Sequence, residues 1–175
     1  NEDLAMVDWL TGLLNRRGFF RAAEHAEGWR SRMDGTTSVI VLDIDHFKRI
    51  NDRHGHAAGD RVLQALGDRL RELAAPSDLV ARMGGEEFCI AMPGARREQA
   101  FARAEAILAH CRNTTVPGDD GRDIRFTLSA GVCEASPGQS LDEALARADA
   151  AMYTAKRDGR DRAIADEERA GSVGP

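Results

Sequence analysis

The chain has 175 residues, of which 42% are hydrophobic and 30% charged, so it can form one compact domain with a substantial core. Its net charge of −5 argues against a surface that coats nucleic acid or a membrane, but a few local cations or a metal could still bind a phosphorylated small ligand. No apolar run approaches the roughly 18 residues of a membrane span, and no segment has the pattern of a signal peptide. We therefore expect a cytoplasmic domain that binds no nucleic acid. Because the chain starts at Asn1, we expect it to be a piece of a longer protein.

The cysteines are few and scattered. Cys89, Cys111 and Cys133 show no CxxC spacing, which argues against a disulfide framework or a zinc site. Cys89 and Cys133 lie in apolar, strand-like runs. The sequence predicts reduced thiols that pack in the core.

The first half of the chain alternates helix and strand signals. Residues 1–6 have the pattern of the end of a helix that starts upstream, and a second helix is predicted over 15–33, capped by its first residue. The apolar, β-branched stretch 36–44 predicts a central strand buried on both faces. A short helix or turn over 45–52 and a helix over 58–73 follow.

Two apolar runs within residues 79–92 flank the most informative tetrapeptide of the chain. The runs predict two strands of a hairpin, and Gly84 and Gly85 supply the positive backbone angles that a tight turn needs. Glu86 and Glu87 then lie at the tip, where they can reach a metal or a substrate. An acidic tip that only keeps the hairpin soluble is the alternative.

The second half of the chain predicts more alternating strands and helices, and with the first half it indicates an α/β class with a mixed sheet and helices on its faces. In chain order the predicted elements are a helix over 97–111, a surface loop over 114–123, strands over 124–129 and 131–134, a helix over 141–158 with Gly159 as its C-cap, an edge strand over 162–164 and a frayed polar tail over 165–175.

Two aspartates stand where the predicted central strand ends. Asp43 and Asp45 are at i and i+2, on one face of a strand, and carboxylates at such a place are suited to a hard cation such as Mg²⁺. Polymerase-like palms use such a strand together with a carboxylate from a neighbouring hairpin. The alternative is a pair of helix-capping aspartates, which explains Asp45 better than Asp43.

Several cations could hold phosphates. Lys48 follows the predicted strand in a turn that offers free backbone N–H groups, although the P-loop pattern is absent. Lys156 and Arg160 are at i and i+4, on one helix face, and could clamp a triphosphate or simply complement the helix dipole. The spacing of His54 and His56 is more typical of surface residues than of metal ligands.

These segments together have a family pattern. The chain resembles the GGDEF domain of diguanylate cyclases over residues 8–163, with the GGEEF variant of the signature. Six segments carry the resemblance: DWLTGLLNRR at 8–17, DIDHFKRIND at 43–52, GHAAGD at 55–60, RMGGEEF at 82–88, TLSAGV at 127–132 and ADAAMYTAKRDGR at 148–160.

The resemblance implies a fold and an activity. The fold is a five-stranded mixed central sheet flanked by helices, an α+β arrangement of the ferredoxin-like, polymerase-palm-like nucleotide cyclase type. The implied activity condenses two GTP molecules into cyclic di-GMP with release of two pyrophosphates, in a homodimer whose two half-sites face each other. Residues 1–7 would end an upstream signalling helix or linker, 8–164 form the domain and 165–175 a flexible tail. An upstream sensor, with or without a membrane anchor, would complete the protein.

The resemblance also assigns roles to single residues. Asp43, Glu86 and the carbonyl of Ile44 would bind Mg²⁺ or Mn²⁺, two ions per active site. Glu87 would be a further ligand or help to deprotonate the attacking 3′-hydroxyl. The remaining residues would bind GTP: Asn51 and Asp60 the guanine, His46, Phe47, Lys48, Lys156 and Arg160 the β- and γ-phosphates, and Gly84 and Gly85 the α-phosphate and ribose.

One departure from the family concerns product inhibition. Many members have an Arg-x-x-Asp site that ends six residues before the first signature glycine, and here Asp78 is present but Ala75 replaces the arginine. We expect neither Arg71 nor Arg82 to take its place, because Pro76 stiffens the turn.

Three other functions are compatible with parts of this pattern. The domain could bind GTP or cyclic di-GMP without catalysis, it could be a cyclase with another base preference, or it could serve only in dimerisation. The intact signature argues against the first, Asp60 against the second, and the paired Asp43 and Glu86 against the third.

Overall fold

The centre of the molecule is a five-stranded mixed sheet. The computed structural model describes residues 5–30, 35–135 and 137–167. Its helices are α1 (Arg16–Arg30), α2 (Phe47–His54), α3 (His56–Leu73), α4 (Arg97–Arg112) and α5 (Leu141–Arg157). Its strands are β1 (Thr37–Ile44), β2 (Leu79–Gly84), β3 (Glu87–Pro93), β4 (Val116–Pro117), β5 (Asp123–Ile124), β6 (Leu128–Ala135) and β7 (Arg162–Ala165).

The strand order of the sheet is β2-β3-β1-β6-β7, with β4 and β5 paired separately. All neighbours in the main sheet are antiparallel except β6 and β7, which are parallel. The predicted five-stranded mixed sheet and its edge strand near the C-terminus are therefore confirmed. The register places Asp43 of β1 opposite Glu87 of β3 on one side and Ser129 of β6 on the other.

The central strand β1 divides the apolar interior into two clusters, as its run of four apolar residues predicts. Ile40 and Leu42 pack in the cluster that includes the buried faces of α3 and α4, whereas Val39 and Val41 pack in the cluster that includes α1 and α5. All four are at most 3% exposed. Because successive strand residues point to opposite faces, Asp43 points to the same face as Val41, towards α5.

The three cysteines are buried and free, as predicted. Burial raises the pKa of Cys111 to about 12 and that of Cys133 to about 11, and it raises the pKa of Cys89 well above its ordinary value. Thiolates are therefore scarce at neutral pH, and the cysteines act as small apolar side chains.

Two predictions for residues 114–134 are wrong. The predicted surface loop contains β4, which pairs with β5 to form a short hairpin. The two predicted strands are instead the end of that hairpin and one continuous strand, β6, which passes through Gly131. A Cβ at Gly131 would lie 1.9 Å from the carbonyl oxygen of Ala148. Gly131 therefore does not interrupt the strand; it allows α5 to pack directly on it.

The ends of the chain follow the prediction in part. Asn15 Oδ1 accepts a hydrogen bond from Gly18 N (2.8 Å), as expected of the cap of α1, and residues 31–34 lie outside the described residues. A helix end was predicted over residues 1–6. Residues 5 and 6 form a short 3₁₀ turn, and residues 1–4 lie outside the described residues. The prediction of a frayed tail from residue 165 is wrong at its start, because Ala165 belongs to β7 and Asp166 N donates to Val132 O (2.7 Å). Residues 168–175 of the predicted tail lie outside the described residues. None of the helices in the described ranges is long and apolar enough to cross a bilayer.

Candidate active site

Three carboxylates gather at the end of β1. Asp43 and Glu87 are cross-strand partners on one face, and Glu86 lies in the turn before β3, where its carbonyl accepts from Ile44 N (3.4 Å). Lys156 from α5 completes the group, with its Nζ 2.9 Å from Asp43 Oδ2. The Asp43 side chain is only 15% exposed, whereas Glu86 and Glu87 are half-buried.

The pKa values of two of these carboxylates are raised. Burial is the main cause for Asp43; Lys156 acts to lower its pKa, and the charges of Glu86 and Asp45 raise it. Burial also raises the pKa of Glu87, and the charges of Asp149 and Asp43 add to the effect. Burial and neighbouring carboxylates thus both oppose the ionisation of Asp43 and Glu87, and shifted pKa values of this kind are common at functional sites.

Metal binding has a suitable donor chemistry here. Carboxylate oxygens in surplus over nearby cations are the donors that Mg²⁺ and Mn²⁺ prefer. Within residues 5–30, 35–135 and 137–167, however, no group of three or more His, Cys, Asp and Glu side chains is close enough to hold a metal ion. Lys156 supplies the positive charge beside Asp43 in this structure.

Asp45 has a structural role, which corrects the prediction that it pairs with Asp43 as a cation ligand. Its carboxylate accepts from Thr127 Oγ1 (2.7 Å), Ser129 Oγ (2.6 Å) and the backbone N of Asp161 (3.0 Å). It is 5% exposed and does not cap α2 by a side-chain hydrogen bond. Asp45 therefore ties the end of β1 to the start of β6 and to the loop after α5.

The start of α2 offers backbone donors beside the carboxylates. His46, the residue before the helix, is in the left-handed conformation (φ 55°), which is uncommon for a residue with a side chain. Phe47 packs against the core, and Lys48 is exposed. The first N–H groups of a helix lack intrahelical partners and can bind an anion.

The two residues expected to bind guanine lie on adjacent helices. Asn51 is on α2 and the exposed Asp60 is on α3. Asn51 Oδ1 is buried without a hydrogen-bond partner among the described residues. A Cβ at Gly59 would lie 1.8 Å from that oxygen, so Gly59 makes room for the amide. A buried acceptor without a donor is costly.

Arg160 does not share a helix face with Lys156, which corrects the prediction made from their spacing. Helix α5 ends at Arg157, and the chain turns through Gly159 (φ 120°) into Arg160 (φ 64°). The backbone N of Arg160 closes this end by donating to Ala155 O (2.9 Å). The arginine is therefore held in a loop, next to the Asp161 backbone that Asp45 fixes.

The signature hairpin has a tight turn as predicted, but Gly85 and Glu86 form it, Gly84 ends β2, and Glu87 begins β3 instead of lying at the tip. Gly85 is left-handed (φ 52°), Gly84 is close to extended (φ 159°), and a Cβ on either would meet nothing within 4 Å. Arg82 Nε donates to Gly85 O (2.8 Å), while its Nη1 is 3.2 Å from Asp8 Oδ1. Although burial acts to raise it, hydrogen bonds from Thr11 and the charge of Arg82 lower the pKa of Asp8.

This arginine links the N-terminal turn to the hairpin that carries Glu86 and Glu87. Asp8 and Arg82 are 74 positions apart, and no local pattern pairs them. The signal available in the sequence was their membership in two of the segments that carry the family resemblance. A cavity of about 480 Å³ lies beside the two signature glycines, and Asp8, Arg16, Arg17 and Arg82 contribute to its lining.

The site expected to bind inhibitory product is occupied by the protein. Asp78 accepts from Ala75 N (2.8 Å) and from Arg103 Nη1 of α4 (2.7 Å), and its side chain is 3% exposed. Arg82 is engaged with Asp8 and Gly85, and Arg71 with Thr11 O. The sequence analysis did not consider Arg103, because α4 reaches this turn only through the tertiary fold.

Comparison with known proteins gives a consistent family. The model described as "Diguanylate cyclase, GGDEF domain" matches residues 5–162. Diguanylate cyclase DgcM of Escherichia coli (strain K12) is 40% identical over 164 residues, which are 94% of this chain and 39% of DgcM. Diguanylate cyclase DgcP of Pseudomonas aeruginosa is 40% identical over 161 residues, 90% of this chain and 23% of DgcP. The chain thus spans less than half the length of these relatives.

The fold agrees with a solved structure of similar length. The GGDEF domain of DgcB from Caulobacter crescentus, in complex with c-di-GMP, superposes with a TM-score of 0.84 at 37% identity. The match covers 94% of this chain and 97% of that one.

Proposed function

The chain belongs to the GGDEF domain family of diguanylate cyclases, and we propose that it condenses two GTP molecules into cyclic di-GMP and releases two pyrophosphates. The observation that carries the proposal is the cluster of Asp43, Glu86 and Glu87 at the end of β1, where burial and mutual repulsion raise the pKa values of Asp43 and Glu87. Such a cluster is unfavourable in the empty protein and favourable once a cationic ligand is bound.

Asp43, Glu86, Glu87 and the carbonyl of Ile44 would hold the divalent metal ions. Bound there, Mg²⁺ or Mn²⁺ would supply Lewis acidity at the α-phosphate and lower the cost of bringing two oxyanions together. The fit rests on the donor chemistry and on the uncompensated charge of the carboxylates. The count of two ions per site comes from the family resemblance.

The rest of the site would bind and orient GTP. The phosphate-binding groups would be the backbone N–H groups of His46, Phe47 and Lys48 together with the side chains of Lys48, Lys156 and Arg160. The Asn51 amide would contact the guanine, and Asp60 would accept from its N1–H and N2–H. Gly84 and Gly85 leave open space for the α-phosphate and the ribose.

The reaction then needs two half-sites. The 3′-oxygen of one GTP attacks the α-phosphorus of the other, a new phosphodiester P–O bond forms, and the bond to the departing pyrophosphate breaks. Glu87, where it is not a metal ligand, would accept the proton of the attacking hydroxyl. Repeating the step in the opposite direction closes the ring. One chain holds one GTP, so we propose that catalysis requires a homodimer in the cytoplasm, regulated by an upstream domain of the longer protein.

A silent binding module is the second candidate, because relatives at this level of similarity share a fold whether or not they are active. Incubation with GTP and Mg²⁺ separates the two functions: a cyclase forms cyclic di-GMP and pyrophosphate, and a module forms neither. A Glu86→Gln variant is the matched control for contaminating activity. Specific activity should also rise with protein concentration and with an N-terminal leucine zipper. Activity that stays constant over a hundredfold dilution would contradict the dimer requirement.

A further inference from the structure

A second cavity lies behind α2 and shares only His46 with the residues assigned to GTP. Its volume is about 480 Å³, and it is bounded by α2 on one side and by residues 122–127 on the other. Lys48 and Asn51 are not part of its lining, because the positions of α2 that line it are on the opposite side of this helix. Its basic lining residues are Arg49, Arg53, Arg112, Arg122, Arg125, His46 and His54.

The charge in this cavity is strongly unbalanced. The chain as a whole carries −5, yet the five arginines face only Asp45 and Asp123 among the lining residues. Asp45 is already engaged by Thr127, Ser129 and the backbone of Asp161.

Three of the five arginines are available to a ligand. The Arg112 side chain is paired with Asp161 (Nε–Oδ1 2.8 Å), and Arg125 donates to the carbonyl of Arg112 (3.4 Å). In the part of the chain that the structure describes, Arg49, Arg53 and Arg122 are exposed and form no ion pair. The charge of Asp120 offsets part of the positive charge of Arg122 and His54, and the surplus that remains attracts a multivalent anion.

The wall of the cavity is held in place by contacts outside it. Arg61 of α3 donates to Pro117 O (3.0 Å) and pairs with Asp119 (3.0 Å), which fixes the hairpin of β4 and β5. Arg112 holds the loop after α5 through Asp161. The arginines therefore project from elements whose relative positions are set by the fold.

The geometry points to a second anion site, specific for a short chain of phosphates, that is separate from the GTP site. Arginine recognises phosphate oxygens in a bidentate manner, and several arginines around one cavity require several phosphate groups. The volume is in the range of ligand sites. Phe126, the aromatic side chain in the lining, is 4% exposed and offers no free face for a base to stack on. Recognition is therefore of the phosphate chain and not of a nucleobase.

The test is calorimetric titration of the whole chain with inorganic tripolyphosphate in EDTA, so that no divalent ion takes part. We expect saturable binding, weakened about tenfold by each of Arg53→Gln and Arg122→Gln. Arg21→Gln, an exposed arginine of α1 outside the cavity, is the matched control and should leave the affinity unchanged. Circular dichroism and Tm should not change, because the substituted side chains are exposed and form no ion pair.

A second measurement locates the ligand. Backbone amide NMR shifts should move in residues 49–54 and 122–127 and not at Gly84 and Gly85. Lys156→Ala removes a phosphate contact of the GTP site, so saturable binding and the shifts in residues 49–54 and 122–127 should persist in this variant. Loss of binding in Lys156→Ala with normal binding in the two cavity variants would overturn the proposal. Equal weakening in Arg21→Gln, or no saturable binding below about 1 mM, would overturn it as well.

Discussion

Asp43 at the end of β1 and Asp78 before β2 are both largely buried, and each faces one basic side chain. Asp78 accepts from Arg103 (2.7 Å) and from the backbone of Ala75 (2.8 Å). Asp43 accepts from Lys156 (2.9 Å), but its burial raises its pKa, and the nearby charges of Glu86 and Asp45 add to the effect. The same residue type in a similar ion pair can thus complete the fold or leave negative charge for a ligand, and the difference lies in the neighbouring carboxylates.

Substituting the carboxylates themselves should give the largest effects. Asp43→Asn or Glu86→Gln should lower the turnover of GTP by about a thousandfold or more, because each removes a charge proposed to hold the metal ions. Measuring cyclic di-GMP formation and circular dichroism on the same samples checks this. Asp78→Asn is the control and should keep most of the activity. A carboxylate variant that is folded and turns over near the wild-type rate would show that the metal assignment is wrong.

Removing the basic partner of each aspartate, Lys156 or Arg103, tests the difference between Asp43 and Asp78. Lys156→Ala should reduce kcat/KM by about 10- to 100-fold, through loss of a charge-assisted contact to phosphate, and should also destabilise the metal-free protein, because it leaves Asp43 largely buried without its cation. Arg103→Ala should leave kcat/KM nearly unchanged but cost about 1–3 kcal/mol of unfolding free energy, because it leaves Asp78 buried without its cation. Urea unfolding and steady-state kinetics of both variants suffice. If Arg103→Ala lost activity at full stability, the division between the two regions would not hold.

The preference for GTP over ATP tests whether Asp60, together with Asn51, binds the guanine base. GTP should bind more tightly than ATP by about 1–3 kcal/mol, because adenine has no N1–H to donate to Asp60. Calorimetry with each nucleotide and Mg²⁺ measures the difference. Asp60→Asn should reduce the difference in binding free energy between GTP and ATP. Equal affinities in the wild-type protein would refute the guanine assignment.

The Asp78 region should respond weakly to product. Relative to an intact Arg-x-x-Asp site, the affinity for cyclic di-GMP should fall by roughly ten- to a hundredfold, since Ala75 lacks the charge and Asp78 is paired with Arg103. Inhibition should be competitive with GTP, through the active site. Ala75→Arg should add a non-competitive component. Sub-micromolar, non-competitive inhibition of the wild-type protein would mean that Arg103 replaces the missing arginine.

The smallest expected effect is on the thermal stability of the metal-free protein when Glu87 is replaced. Burial raises the pKa of Glu87, and the charges of Asp149 and Asp43 add to this, so the charged form destabilises the folded protein without metal. A raised carboxyl pKa stabilises the fold below the ordinary pKa of 4.5, and this contribution is lost as the pH rises through the folded value. Glu87→Gln should therefore raise Tm at pH 7 in EDTA, and the gain should disappear at acidic pH. An unchanged or lower Tm at pH 7 would show that the surplus charge is not costly.

The element types and the sheet were predictable because apolar periodicity is strong in this chain. The buried run in β1, the amphipathic stripe of α3 and the glycine turn between β2 and β3 each depend on neighbours in sequence. The continuous β6 was not predictable in this way. From its neighbours in sequence, Gly131 looks like the start of a second strand. The packing of α5 on β6 is what requires a glycine there.

The sequence alone determined the family, the central sheet with its flanking helices and the group of residues that gather at the end of β1, because these depend on motifs with fixed spacing. Only the tertiary structure decided what each charged residue faces. It separated Asp43 from Asp45, moved Arg160 off the helix that carries Lys156, and brought Asp8 to Arg82 and Arg103 to Asp78. The physical reason is that a hydrogen bond or a Coulomb interaction depends on distances of a few ångströms between residues far apart in the chain, which local sequence patterns do not contain.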